Sequence, residues 1–233
     1  MKLIAAYLSE MFSIFPACKT QIDLGFIIDG SGSVEMYGKG NFQKCLDFVK
    51  SLTRAFVISP TDTRVGVIEF SSRSELQFDF REYTTQTDVE RAIDGIKYPG
   101  YRTNAGQALT MAKDKLFNDA RAGVPRVLVV LTDGRSHDDV VKPSEELRNV
   151  GVIIFAVGLG RNYNLAQLNA MATKDNVFTA DFPDMMTIIT KMQEKLCKGK
   201  VLLGASTRQP FTRVWDTSPR SSECQTHSFI IMI

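Results

Sequence analysis

Two aspartates stand at the ends of the two most apolar segments of this 233-residue chain. Asp29 follows the apolar residues 26–28 and opens the sequence Asp-Gly-Ser-Gly-Ser. Glycines allow a tight backbone turn, so this turn is able to direct Asp29, Ser31 and Ser33 at one point. Asp133 follows the second apolar segment, and Thr103 stands in a polar loop before a helical pattern. These five side chains are candidates for one site.

The chemistry of this set is that of a divalent cation. It contains two carboxylates and three hydroxyls, with no sulfur and no imidazole. Hard oxygen donors suit Mg²⁺, Mn²⁺ or Ca²⁺ rather than zinc or copper. Because hydroxyl ligands do not neutralise the ion, it is able to accept one more carboxylate. The set therefore predicts an ion that captures an acidic group from a partner.

Each of these residues also has an ordinary structural interpretation. Asp29 is able simply to end a strand, and Ser31 and Ser33 are common turn residues. Thr103 is a suitable N-cap for the helix that follows it. Taken together, the five residues favour metal binding over these separate structural roles. The neighbouring Tyr101 and Arg102 are by default surface residues, although both flank the site.

Six segments have the pattern of β-strands. Residues 24–28, 64–70, 127–132 and 152–157 are apolar and β-branched without polar alternation, which is typical of parallel strands covered on both faces. A shorter strand is predicted at 177–179. Residues 75–80 alternate, which predicts an antiparallel edge strand with Leu76, Phe78 and Phe80 on one side.

Apolar residues at helical spacing lie between these segments. They predict helices within 42–56, 105–117, 141–150, 165–171 and 185–196. Asp138 and Asp139 are assigned to the start of the helix in 141–150, where negative charge is favourable. The alternation predicts an α/β fold: a doubly wound, mostly parallel sheet, with one antiparallel edge strand and helices on both faces, in a Rossmann-like arrangement.

The composition excludes several functions. With 28 basic and 26 acidic residues, the net charge of +2 offers no electrostatic footprint for nucleic acid. Two histidines and four cysteines without a Cys-x-x-Cys spacing exclude a zinc finger or ribbon. No apolar run reaches the ~18 residues that a membrane span needs. No phosphate-binding loop or Gly-x-Ser-x-Gly motif is present, so we predict no enzyme activity.

Residues 18–197 resemble a von Willebrand factor type A domain of the extracellular-matrix branch, as found in matrilins and A-domain collagens. The resemblance rests on the Asp-x-Ser-x-Ser sequence and its two partner loops, in the expected order. It also rests on residues 62–67 and 155–158. It implies a metal-ion-dependent adhesion site that holds Mg²⁺, or alternatively Mn²⁺ or Ca²⁺. In such a site Ser31, Ser33 and Thr103 would ligate the ion directly. Asp29 and Asp133 would act largely through water.

The resemblance also implies a disulfide between Cys18 and Cys197, because matrix A domains are commonly closed by cysteines at these flanking positions. The alternative is two free thiols. Cys45 lies on the apolar side of a predicted helix and is expected to be a buried small hydrophobe. Cys224 is a candidate for pairing with another chain.

The two ends of the chain differ from this central domain. Residues 1–17 have an early lysine and an apolar stretch, which predicts a secretory signal peptide. The alternative is an artificial start within a longer chain. Residues 198–233 show no helix or strand period and are rich in Gly, Pro, Ser and Thr, which predicts a linker or disordered tail.

These observations predict a secreted adhesion module of the extracellular matrix. It would bind a protein partner, such as collagen or another matrix protein, through an acidic residue of that partner, and it would act with further domains or chains. The alternative function is a structural matrix module whose metal site is idle or only stabilising.

Overall fold

A computed structural model describes residues 17–36 and 38–197 of the chain. Six strands form one sheet in the order β3-β2-β1-β4-β5-β6. All neighbouring pairs are parallel except β2 and β3, so the predicted mostly parallel sheet with one antiparallel edge strand is confirmed. The strands are β1 Ile22–Asp29, β2 Thr63–Phe70, β3 Ser74–Phe78, β4 Arg126–Thr132, β5 Val152–Leu159 and β6 Val177–Ala180.

The described residues also form seven α-helices. They are α1 Gly32–Met36, α2 Asn41–Thr53, α3 Gln86–Asp94, α4 Ala105–Met111, α5 Val141–Asn149, α6 Leu165–Met171 and α7 Thr187–Cys197. Helix α4 continues into a π turn and a 3₁₀ turn that end at Asp119. The apolar pattern did not reveal α3, because its only buried residues are Val89 and Ile93. Its start is marked instead by Thr85, whose hydroxyl accepts a hydrogen bond from the Asp88 amide.

Helices cover both faces of the sheet, as predicted. On one face α2, α3 and α7 pack against a core that includes Phe26, Val67 and Phe155. On the other face α4, α5 and α6 pack against a second core that includes Ile27 and Val130. Successive strand residues alternate between the two cores, which explains why the central strands are apolar throughout. Three residues assigned to helical faces are exposed instead, namely Val141, Val150 and Leu165.

The edge strand β3 differs from its prediction. It ends at Phe78 rather than residue 80, and the pairing with β2 shifts so that Leu76 lies opposite Ile68 while Phe78 lies opposite Val67. One extra residue in β3 therefore faces no partner, which is a β-bulge. As a result Phe78 belongs to the first core, whereas Leu76 packs against the second. The prediction that these side chains lie on one side was wrong.

A disulfide joins Cys18, before β1, to Cys197, the last residue of α7. Cys45 is a free, buried thiol on α2. Almost all of the predicted signal peptide and the whole predicted tail lie outside the described residues, as does Cys224. Among the residues described, no helix is both long and apolar enough to cross a membrane.

Candidate metal site

Asp29 and Asp133 meet where the strand order of the sheet reverses. Asp29 ends β1, and Asp133 directly follows β4, the parallel neighbour of β1. In open α/β sheets ligands bind at this position, just beyond the carboxyl ends of the central strands. Both aspartates are buried, with 1% and 2% of their surface exposed. The order of the strands thus brings together two carboxylates that are distant in sequence.

A chain of hydrogen bonds joins four of the five predicted site residues. The amide of Ser31 donates to Oδ1 of Asp29 over 2.9 Å, which closes the tight turn. The hydroxyls of Ser31 and Ser33 share a hydrogen bond of 3.0 Å. The Ser33 hydroxyl in turn donates to Oδ1 of Asp133 over 2.8 Å. The two serines therefore connect the aspartates of β1 and β4.

Thr103 lies on an adjacent loop that is fixed to the Asp29 turn by its main chain. The Gly32 amide donates to the carbonyl of Tyr101 over 2.7 Å, and the Gly100 amide donates to the carbonyl of Gly30. Thr103 itself is buried, and its carbonyl accepts a hydrogen bond from the amide of His137. Its hydroxyl makes no hydrogen bond to the other four residues. The structure thus places Thr103 beside the cluster but not within its hydrogen-bonded chain.

The negative charge of Asp29 and Asp133 is not neutralised by any cationic side chain among the described residues. Burial, together with the charge of Asp29, raises the pKa of Asp133 to about 7. Burial also raises the pKa of Asp29, although hydrogen bonds from Ser31 and Thr132 oppose the shift. Oδ2 of Asp133 is buried without a hydrogen-bond partner. Among the described residues, no cationic side chain forms an ion pair with either aspartate.

This donor set fits a hard divalent cation. A buried carboxylate oxygen without a partner is costly unless a positive charge or a donor meets it. The described residues hold no cluster of three or more His, Cys, Asp or Glu side chains able to bind a metal. An ion at this position would therefore depend on the serine and threonine hydroxyls as well as on the two aspartates.

Two residues near the site were not found from the sequence. Thr132 donates from its hydroxyl to Oδ2 of Asp29 over 2.6 Å, so it fixes the carboxylate of the neighbouring strand. Glu69, on β2, is 5% exposed, and its Oε1 has no hydrogen-bond partner. A β-carbon at Gly30 would collide with this oxygen. The sequence contained one signal for Glu69. It stands alone between the apolar Ile68 and Phe70, and a buried carboxyl in a central strand is unusual.

The role of Asp138 also differs from its prediction. Its carboxylate accepts hydrogen bonds from the amides of Gly106 and Gln107, over 2.8 and 2.9 Å. It therefore caps α4 rather than α5, and it ties the loop after Asp133 to the loop of Thr103. Asp139 does lie at the start of α5, where it accepts a hydrogen bond from the amide of Val141.

The comparison with known families agrees with this geometry. The model of the von Willebrand factor type A domain matches residues 23–195. The chain belongs to this family. The similar curated proteins include vitrin of Bos taurus, 35% identical over 184 residues, which make up 77% of this chain and 28% of vitrin. They also include the collagen alpha-4(VI) chain of Mus musculus, 34% identical, with 76% of this chain and 8% of the collagen covered.

The relatives of this type A domain place it in the extracellular matrix. Vitrin, the collagens and matrilin-2 of Mus musculus are secreted matrix proteins, so the predicted matrix branch and localisation are confirmed. The chain spans less than a third of the length of vitrin.

Solved structures of the same fold include proximal thread matrix protein 1 from the mussel byssus. It superposes with a TM-score of 0.73 at 27% identity, with 77% of this chain and 47% of the mussel chain covered. A second structure of that protein, with a TM-score of 0.73 and 28% identity, is described as having a zinc-occupied MIDAS motif. The predicted type A fold of this chain is thus confirmed.

Proposed function

We propose that this type A domain is a metal-dependent binding module of the extracellular matrix. It holds a divalent cation and uses it to capture an acidic group of a partner protein. The observation that carries the proposal is the buried, unpartnered Oδ2 of Asp133 within a cluster of carboxylates and hydroxyls. The proposed ligand set consists of Asp29, Ser31, Ser33, Thr103 and Asp133.

The side chains of the site have separate tasks. The two aspartates supply the negative charge that attracts a cation, and the hydrogen bond from Thr132 holds Asp29 in place. Ser31 and Ser33 supply neutral oxygens, which bind an ion without cancelling its charge. When bound, the ion supplies a positive centre that coordinates the carboxylate of a partner. Burial of both aspartates keeps water from screening this attraction.

The ion we propose is Mg²⁺, with Mn²⁺ or Ca²⁺ as substitutes. The reason is the all-oxygen donor set, since Mg²⁺ binds through one or two carboxylates and keeps further positions for other oxygens. Zinc occupies the corresponding motif of the mussel protein, which supports a cation site in this fold. The donors of this chain contain none of the sulfur or imidazole that zinc prefers.

The partner we propose is a matrix protein, such as a collagen. The relatives are matrix proteins, and their kinship supports binding rather than catalysis. The net charge of +2 gives no electrostatic footprint for nucleic acid as a partner.

Calorimetric titration with Mg²⁺ and Mn²⁺ tests the proposal. Asp133→Asn keeps the size of the side chain but removes its charge, and it should abolish saturable binding, as should Asp29→Ala. Asp139→Asn is the matched control, because Asp139 lies nearby, is exposed, and accepts a hydrogen bond from the Val141 amide that an asparagine oxygen also accepts. Absence of binding to the unaltered protein, or undiminished binding to Asp29→Ala, would refute the proposal.

A structural role with an idle metal site is the second candidate. It is favoured by the hydrogen bonds among Ser31, Ser33 and Asp133, since these contacts by themselves join the turn after β1 to the turn after β4. Capture of the protein on immobilised collagen, with Mg²⁺ or with chelator, separates the two functions. Binding that survives the chelator supports the structural role, whereas binding lost with the chelator and restored by Mg²⁺ supports metal-dependent capture.

A further inference from the structure

We propose that the partner segment is an acidic stretch of protein in which an apolar side chain stands next to the carboxylate that reaches the metal, with further acidic residues beside it. This inference rests on the proposed function. The recognising surface is a rim around the metal site, formed by Met36, Arg73, Tyr101, Arg102 and Arg135. Each of these residues is exposed.

The rim is built on loops that are joined to one another around the site. The Arg102 amide donates to the Ser72 hydroxyl over 3.0 Å, which joins the loop of Arg102 to the β2–β3 turn that carries Arg73. The His137 amide donates to the carbonyl of Thr103 over 2.9 Å, which joins that loop to the segment of Arg135. The three arginines are therefore held at the same edge of the sheet.

These arginines have no acidic partner within the described part of the chain. The side chains of Arg73, Arg102 and Arg135 form no ion pair there. Nearby carboxylates are engaged elsewhere: Glu35 accepts hydrogen bonds from two amides at the start of α2, and Asp138 caps α4. Two exposed acidic residues also lie on these segments: Glu75, on β3, and Asp139, which accepts a hydrogen bond from the Val141 amide. The edge thus presents more unpaired positive than negative charge.

The apolar part of the rim lies beside the metal ligands in sequence. Met36 ends α1, the helix that contains Ser33, and 73% of its surface is exposed. Tyr101 is 68% exposed, although its main chain is bound to the Asp29 turn through Gly32. These are the two most exposed of the large hydrophobic residues described. Exposed aromatic and methionine side chains are enriched where proteins bind one another.

The combination favours a protein segment over a sulfated polysaccharide. A polysaccharide of dense negative charge binds through many cations and gains little from Met36 or Tyr101. Three exposed arginines and two exposed apolar side chains on the loops that carry the metal site match a short peptide instead. Its central carboxylate reaches the ion, its other acids face the arginines, and its apolar side chain covers Tyr101.

Synthetic peptides with one central glutamate test this inference on the full chain. The positions after the glutamate are two aspartates, two serines or two lysines, and the position before it is leucine or serine. With Mg²⁺ present, the peptide with leucine before the glutamate and two aspartates after it should bind best.

The double variant Arg102→Ala, Arg135→Ala should lose roughly three- to tenfold in affinity for this peptide. It should lose much less for the peptide in which two serines replace the aspartates, since exposed charge pairs contribute modestly. Tyr101→Ala, which keeps the main-chain contacts, should lose about fivefold for the leucine peptide only.

Lys174→Ala is the control, because Lys174 is exposed and precedes β6, at the opposite edge of the sheet. It should bind every peptide as the unaltered protein does. Intact Mg²⁺ binding without any preference among peptides, or without binding of any peptide, overturns this inference and leaves the metal site standing. Absence of Mg²⁺ binding overturns the proposed function itself. Tighter binding to heparin than to any peptide, with no effect of chelator, also overturns the inference.

Discussion

Ser33 donates a hydrogen bond of 2.8 Å from its hydroxyl to Oδ1 of Asp133, a residue 100 positions further along the chain. This contact joins the turn after β1 to the turn after β4. It also directs a neutral oxygen and a carboxylate toward the same point. Oδ2 of Asp133 remains buried without a hydrogen-bond partner, so a positive charge placed beside it would be stabilised.

Removal of the Ser33 hydroxyl should weaken metal binding more than folding. Ser33→Ala is expected to lower Mg²⁺ affinity roughly tenfold or more and the free energy of unfolding by about 1 kcal/mol. Calorimetry and urea denaturation measure the two effects. The matched control is Ser59→Ala, since Ser59 donates to Asp62 over 2.7 Å just before β2, at the other edge of the sheet. A loss of Mg²⁺ affinity in the control as large as in Ser33→Ala would contradict the assignment.

The disulfide between Cys18 and Cys197 should contribute strongly to stability. It closes a loop of 179 residues, and restricting the unfolded chain to that extent is worth about 5 kcal/mol on the chain-entropy model. Reductant is therefore expected to shift the urea denaturation midpoint to lower concentration. Cys45→Ala should retain this sensitivity, because Cys45 is a free thiol. In the double variant Cys18→Ser, Cys197→Ser, reductant should leave the urea denaturation midpoint unchanged. A shift as large as that of the unaltered protein would show that the effect does not come from this bond.

Arg121 should be a major contributor to stability without affecting the metal site. Asp23 is fully buried at the start of β1, where Arg64 and Arg121 both donate to its carboxylate over 2.9 Å. Burial alone would raise the pKa of Asp23, but hydrogen bonds from both arginines outweigh it and lower the pKa. Arg121→Ala removes one of the two guanidinium groups that pair with the buried Asp23, and it removes the side-chain donor to the carbonyls of Ile22 and Asp62, which should cost about 3 kcal/mol.

Urea denaturation measures this loss, and Mg²⁺ titration should show unchanged affinity. Arg81→Ala is the control: Arg81 pairs with Asp79 and Asp119 but is exposed, so its loss should cost less than about 1 kcal/mol. Equal losses for the two variants would show that the burial of Asp23 has no energetic consequence.

Glu69 should make the metal-free protein less stable as the pH rises. Burial, with the charges of Glu75 and Asp29, raises the pKa of Glu69 from 4.5 to about 8. The folded protein therefore keeps a proton that the unfolded chain has lost. The stabilisation is complete below the unfolded pKa and disappears as the pH rises through the folded one, with a slope of about 1.4 kcal/mol per pH unit.

Glu69→Gln should remove this part of the slope, since glutamine has nearly the same volume and does not ionise. Denaturation in chelator at several pH values measures it. A residual slope of the same sign should persist, because burial raises the pKa of Asp29 and Asp133 as well. Glu145→Gln, an exposed carboxyl on α5, is the control and should leave the slope as it is. A slope unaltered by Glu69→Gln would contradict the prediction.

The type of fold and most of its strands were predictable from local pattern. Continuous apolar segments such as 127–131 indicate strands covered on both faces, and the structure buries them in that way. The bulge in β3 was not predictable, because alternation in 75–80 carries no information on how β3 pairs with β2. Helix α3 was not predictable from the apolar pattern either, because only two of its residues are buried and it therefore lacks a broad apolar stripe.

The sequence by itself determined which chemical groups are available: the Asp-Gly-Ser-Gly-Ser turn is local, and its glycines and short polar side chains specify it wherever it occurs. Only the tertiary structure decided that β1 lies beside β4, so that Ser33 reaches Asp133 and Thr132 reaches Asp29. It also decided that Glu69 packs behind Gly30. These contacts depend on strand order, which follows from how two cores are packed against opposite faces of one sheet, and no short stretch of sequence contains that information.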